Sequence, residues 1–89
     1  MEEKKILETA IKVYGDSAQE DIAIEEMSEL TTAIMHKRRG RASNIPEEIA
    51  DVLIGVEQLI IIHGCRDEVE RIHKEKVERL AESIFEKCL

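Results

Sequence analysis

The segment from Pro46 to His63 constrains this chain more than any other part of it. At helical spacing Ile49, Val52, Leu53, Val56, Leu59 and Ile60 make one wide apolar face, and Ala50, Ile54 and Ile61 cover another side. A helix apolar over most of its circumference is buried on most sides. A chain of 89 residues has too few other helices to cover it. The sequence therefore predicts self-association, as a homodimer or a homotetramer. The sector left uncovered holds Glu48, Asp51, Gly55 and Gln58, with the glycine leaving space beside two acids.

The remainder of the chain is heavily charged, 37% Asp, Glu, Lys and Arg, and its aromatic residues are Tyr14 and Phe85. The core must be aliphatic. Abundant Glu and Lys with a single proline favour helices, because unbranched side chains lose little rotamer freedom there. The expected fold is all-α: one domain over residues 1–89, a four-helix antiparallel bundle-like protomer.

A first helix runs from about Glu2 to Tyr14, with Ile6, Leu7, Ala10, Val13 and Tyr14 on one side. Gly15 stops it, and Asp16 or Ser17 caps the next. The second helix reaches about Arg39 and carries a stripe of Ala23, Met27, Leu30 and Ile34. Glu26 lies just off that stripe and Glu29 a step further round. The third helix starts near Pro46, with Asn44 and Glu47 spaced as a capping box, and ends at Gly64. The fourth starts near Asp67, with Val69, Ile72, Val77, Leu80, Ala81 and Ile84 as its stripe. Lys76 falls inside this stripe, and Arg79 borders it.

A formal net charge of -7 argues against a nucleic-acid duplex or an anionic membrane as main partner. Glu57 and Gln58 interrupt the longest apolar run before it reaches the roughly 18 residues of a membrane span. Cys65 and Cys88, without a signal peptide, read as reduced thiols of a cytoplasmic protein.

With 20 acids in 89 residues, random placement gives about four pairs at i, i+3. Four occur, so spacing alone carries no information. Position does. Glu26/Glu29 and Glu48/Asp51 border the apolar stripes of adjacent helices, and the short loop between these helices forces an antiparallel hairpin. Asp67/Glu70 and Glu75/Glu78 lie on the outer side of the last helix. A modest stagger of the hairpin brings the first four carboxylates to one level. Acids held together repel unless a cation sits between them. Hard oxygen ligands with no nearby Cys favour Mg²⁺ or Mn²⁺ over zinc. The opposing reading is a solvated rim paired with the abundant Lys and Arg.

Glu25-Glu26-Met27-Ser28-Glu29, followed by Glu47-Glu48-Ile49-Ala50-Asp51-Val52-Leu53, resembles the E-E-x-x-E … E-x-x-D signature of MazG-like nucleotide pyrophosphohydrolases. That all-α superfamily also includes dimeric dUTPases and dCTPases. The likeness extends through Gln19, Ala23 to Glu26, Leu30, the basic turn Arg38-Arg39-Gly40-Arg41 and Asn44. It covers Val52 to Leu59 and, more weakly, Lys76 to Leu80, about two thirds of the chain in all.

The resemblance implies that Glu26, Glu29, Glu48 and Asp51 ligate Mg²⁺, with Mn²⁺ as the alternative, and so grip a nucleoside triphosphate. A metal-activated water then attacks the α-phosphorus, releasing a nucleoside monophosphate and pyrophosphate. Glu29 is the candidate to orient or deprotonate that water, and Glu25 the second. Lys76 and Arg79 match basic phosphate-contacting positions of the family, and Arg38 and Gln19 are further substrate contacts. Ser83 stands where many relatives carry another arginine, which leaves the local phosphate contacts open. A house-cleaning role against non-standard nucleotides fits the family, but no residue spells out a base.

Two other classes compete. A di-iron carboxylate bundle needs Glu-x-x-His on two helices, and only Glu70-Arg71-Ile72-His73 supplies one. His36 and His63 sit at helix ends, where surface roles are the default. The non-enzymatic alternative is a small acidic adaptor or regulator whose carboxylates merely solvate it.

Overall fold

The computed structural model describes residues 2–88, and every regular element among them is an α-helix. α1 spans Glu3–Tyr14, α2 Asp16–Arg38, α3 Ile45–His63 and α4 Arg66–Cys88. The all-helical class and the helix boundaries follow the sequence closely. No described helix is long and apolar enough to cross a membrane.

The helix ends are built differently from the sequence expectation. Only Gly15 separates α1 from α2, and its φ of 96° and ψ of 155° lie outside the left-handed helical region. Residues with a Cβ enter that region only under strain. The chain passes from one helix to the next within this one residue, whose N–H donates to the Ile11 carbonyl at 2.8 Å. Neither Asp16 nor Ser17 caps α2. Asp16 is already helical, where its charge still suits the positive helix end. At α3, Asn44 holds the N-cap position without a side-chain cap, and its Nδ2 instead donates to Glu47 Oε2. Pro46 sits in the first turn and Gly64 closes the helix, as expected.

α2 and α3 form the antiparallel hairpin on which α1 rests, touching both and burying Leu7 and Ile11. The face that joins the hairpin is not the apolar one. On α2 the buried residues are Gln19, Ala23 and Ala33, with Glu26 and Leu30 half-buried. On α3 they are Gly55, Gln58 and Ile60, with Glu48 and Asp51 half-buried. Met27 and Ile34, expected inside, are exposed, as are Ile49, Val56 and above all Leu53 at 61%. The sector of α3 that seemed uncovered is the one α2 covers.

Close approach explains the choice of face. A Cβ added to Gly55 would fall 3.2 Å from both the Cα and the Cβ of Ala23. The helices therefore meet where each is smallest, and bulky Ile, Leu and Met side chains would hold them apart. α4 meets only α3, and none of its described residues is buried. Arg66 ties the turn together through Glu57 of α3 and Glu70 of α4. Exposed pairs of this kind add little stability.

The shape departs from that of a self-sufficient domain. The radius of gyration is 16.5 Å, against about 12 Å for a globular chain of this length. Accessible surface is 7199 Å², whereas a folded monomer of 10.2 kDa exposes about 5,300 Å².

Filling the Gly55 contact tests the hairpin. Gly55→Val must push Ala23 backbone away, and overpacking of this kind costs about 1–3 kcal/mol. A melting temperature lowered by several degrees is the expected result, and an unchanged one would show that the helices do not meet there.

Candidate metal centre

The seam of the hairpin is a ladder of polar pairs in one register. Gln19 of α2 meets Gln58 of α3, with its Nε2 donating to Gln58 Oε1 at 3.0 Å. One helical turn on, Ala23 meets Gly55. Beyond these, Glu26 meets Asp51 and Glu29 meets Glu48, each pair within hydrogen-bonding reach when one member carries a proton. The antiparallel register thus brings both acidic motifs to the same level.

Three of the four acids converge closely. Glu26, Glu29 and Glu48 each offer one carboxylate oxygen, and these oxygens lie within 4.8 Å of one another. Asp51 stands outside this triangle and joins it through Glu26. Glu26 Oε2 and Glu48 Oε2 are buried without a hydrogen-bond partner. Among the described residues the ion pairs use Glu20, Glu57, Glu70 and Glu75, so no cation neutralises the four acids. The salt-bridged half of the rim reading therefore does not describe them, while Glu29 is exposed to solvent.

Such crowding holds protons. Desolvation is the largest cause that raises Glu26 from 4.5 to about 7, followed by the charges of Glu29 and Asp51, the hydrogen bond with Asp51 and the charge of Glu48. Glu48 is also raised, by desolvation first, then by the charges of Glu29, Asp51 and Glu47 and the hydrogen bond with Glu29. Orphaned buried oxygens and proton-retaining acids are what a divalent cation relieves. Three oxygens at this separation suit a hard ion with oxygen ligands about 2.0–2.6 Å away.

Two clefts flank the acids. Ser28, Glu29, Thr32, Ala33, His36, Ser43, Asn44 and Glu48 line one of about 270 Å³ beside the loop. A notch of about 130 Å³ on the other side is lined by Ile22, Glu26, Asp51, Ile54, Gly55 and Gln58. A larger cavity, about 500 Å³, lies elsewhere, between α1 and the turn into α4. It contains none of the four acids.

The other residues singled out from sequence are placed less uniformly. Gln19 is buried inside the hairpin, 5% exposed, and does not open onto either cleft beside the acids. Arg38 ends α2 on the surface. Lys76 and Arg79 are exposed on α4, which does not touch α2, and no ion pair joins them to the acids among the described residues. His36, Ser28 and Thr32 were missed as neighbours of the acids. Their spacing at i, i+4 and i+8 from Ser28 was the available signal. Comparisons with protein-family models, with curated proteins and with solved structures each return no match.

The raised Glu26 fixes a sign for pH dependence. The folded chain keeps this proton up to about pH 7, while the unfolded chain releases it near 4.5. This contribution is complete below the ordinary carboxylate range and is lost as pH rises through about 7. Glu26→Gln should therefore melt higher than wild type at about pH 8 without divalent ions, with the two converging near pH 5. Parallel melting curves across that range would refute the crowding.

Proposed function

We propose that the chain is a Mg²⁺-dependent nucleoside triphosphate pyrophosphohydrolase of the MazG-like kind, converting (d)NTP to (d)NMP and pyrophosphate. The observation that carries this reading is the meeting of Glu26, Glu29 and Glu48 with two buried, unpartnered oxygens and no cationic partner. The resemblance of the two acidic motifs supplies the reaction class. A bound Mg²⁺ or Mn²⁺ would supply charge neutralisation at the phosphates and a more acidic water.

The chain's own residues divide the work. Glu26, Glu29 and Glu48 would hold the ion, and Asp51, the fourth candidate ligand, sets the Glu26 carboxyl through the pairing across the hairpin. Glu29 lines the larger cleft and is exposed, so its carboxylate is positioned to orient a water and take its proton. Lys76, Arg79 and Arg38 are the candidate phosphate contacts. The two on α4 reach the acids only if that helix is brought over them.

Self-association belongs to the same reading. The chain exposes about 1,900 Å² more than a monomer of its mass, enough per copy for a stable interface. Leu53, Val77, Leu80, Ile84 and Phe85 are all exposed, so the excess is rich in apolar side chains. The expected mass in solution, by light scattering, is a multiple of 10.2 kDa, and Leu53→Glu should lower it. A wild-type monomer would remove the dimer or tetramer from the proposal.

Activity is tested by pyrophosphate release across ribo- and deoxynucleoside triphosphates with Mg²⁺. Loss of a general base lowers kcat by about 10²–10⁴-fold, the range expected for Glu29→Gln. Glu48→Ala should in addition abolish the rise in melting temperature produced by Mn²⁺ with a non-hydrolysable triphosphate. Orthophosphate as the product would place the cleavage at another phosphorus and refute the assigned reaction.

A further inference from the structure

The notch beside the acids has an unusual lining. The acids Glu26 and Asp51, the isoleucines Ile22 and Ile54, and Gln58 line it together. Gly55, the smallest side of the notch, is held against Ala23. Gln58 is only 3% exposed, and a buried amide is retained at a cost unless its groups find partners. Its Oε1 accepts from Gln19. Among the described residues its Nε2 donates to no protein atom, and that donor is not enclosed away from the notch.

Distance gives the notch a direction. Asp51 and Gln58 are two helical turns apart on one face of α3, roughly 10 Å at 1.5 Å per residue. The acids stand at one end and a fixed amide at the other, with two isoleucines between them. Apolar walls suit a planar heterocycle better than a hydroxyl-rich sugar. A volume of about 130 Å³ also exceeds the roughly 30 Å³ of a single water several-fold, so a ring can enter.

We propose that this notch takes the nucleobase of the substrate, and that Gln58 is its specificity-determining residue, donating from Nε2 to a carbonyl or ring-nitrogen acceptor on the base edge. The inference rests on the pyrophosphohydrolase reading above. Gln19 is the positioning residue. Its Nε2 holds the Gln58 Oε1, at the cost of leaving its own Oε1 buried without a partner, and so fixes the amide whose Nε2 stays unpaired.

The test compares kcat/KM for ATP, GTP, CTP and UTP, each divided by the value for ribose triphosphate without a base. In wild type these ratios differ among the bases. In Gln58→Leu the spread should shrink by about tenfold, the worth of one hydrogen bond to a desolvated partner. Gln58→Glu, nearly the same shape but without the donor, should reorder the bases against those presenting an acceptor. Ile54→Trp alters a residue already 49% exposed, so folding tolerates it, and by filling the notch it should lower every nucleotide ratio. Equal losses for nucleotides and the baseless triphosphate in all three variants would overturn the inference and leave the reaction standing. No pyrophosphate from any wild-type reaction would overturn the reaction and this inference with it.

Discussion

The contact between Gly55 and Ala23 governs most of what else this molecule does. Helices whose backbones approach this closely are locked in register as well as in distance, since only one pairing places the two small residues opposite each other. From that single alignment the Gln19–Gln58 hydrogen bond, the Glu26–Asp51 pair and the Glu29–Glu48 pair follow as successive rungs. A slip by one residue would swing every rung about 100° around its helix. The acidic group is thus a consequence of helix packing rather than of any local motif geometry.

Packing also sets the electrostatic tension. Folding pulls Glu26 and Glu48 partly out of water and against other carboxylates, and among the described residues no Lys or Arg pairs with them. Part of that repulsion is relieved by retained protons, which is why Glu26 titrates near neutrality. On the proposed reading, proton and metal ion would compete for the same oxygens, and affinity for a cation would strengthen as pH rises through this range. The seam gives up some stability to hold these carboxylates together.

Much of the architecture was legible because helices are punctuated by residues with definite backbone preferences. Gly15, Gly40, Pro46 and Gly64 mark the boundaries, and the acidic motifs lie where the hairpin brings them level. The inward face was not legible, for a specific reason. Hydrophobic periodicity identifies the side of a helix that escapes water, without saying whether the same chain or another surface provides the shelter. Here Leu53 and Ile49 point away from α2, while Gln58 and Gly55 point toward it. The buried amides were hidden for the same reason: a glutamine among isoleucines looks like an interruption until its partner is known. Lys76 and Arg79 were readable as cations but not as near or far from the acids, because α4 has no packing partner besides α3 to fix its course.

The single residue between α1 and α2 has a consequence for inheritance. Most helical domains tolerate drift in their connections, and the segment 39–44 can change length so long as the seam realigns. Gly15 has no such latitude, because its backbone angles are closed to residues with a Cβ and no neighbour is available to share the turn. Descendants of this chain can therefore reshape the loop beside the acids and the outer surface of α4 while the entry into α2 stays invariant. That asymmetry directs variation to the loop and the outer face of α4, and away from the hinge that holds α1 on the hairpin.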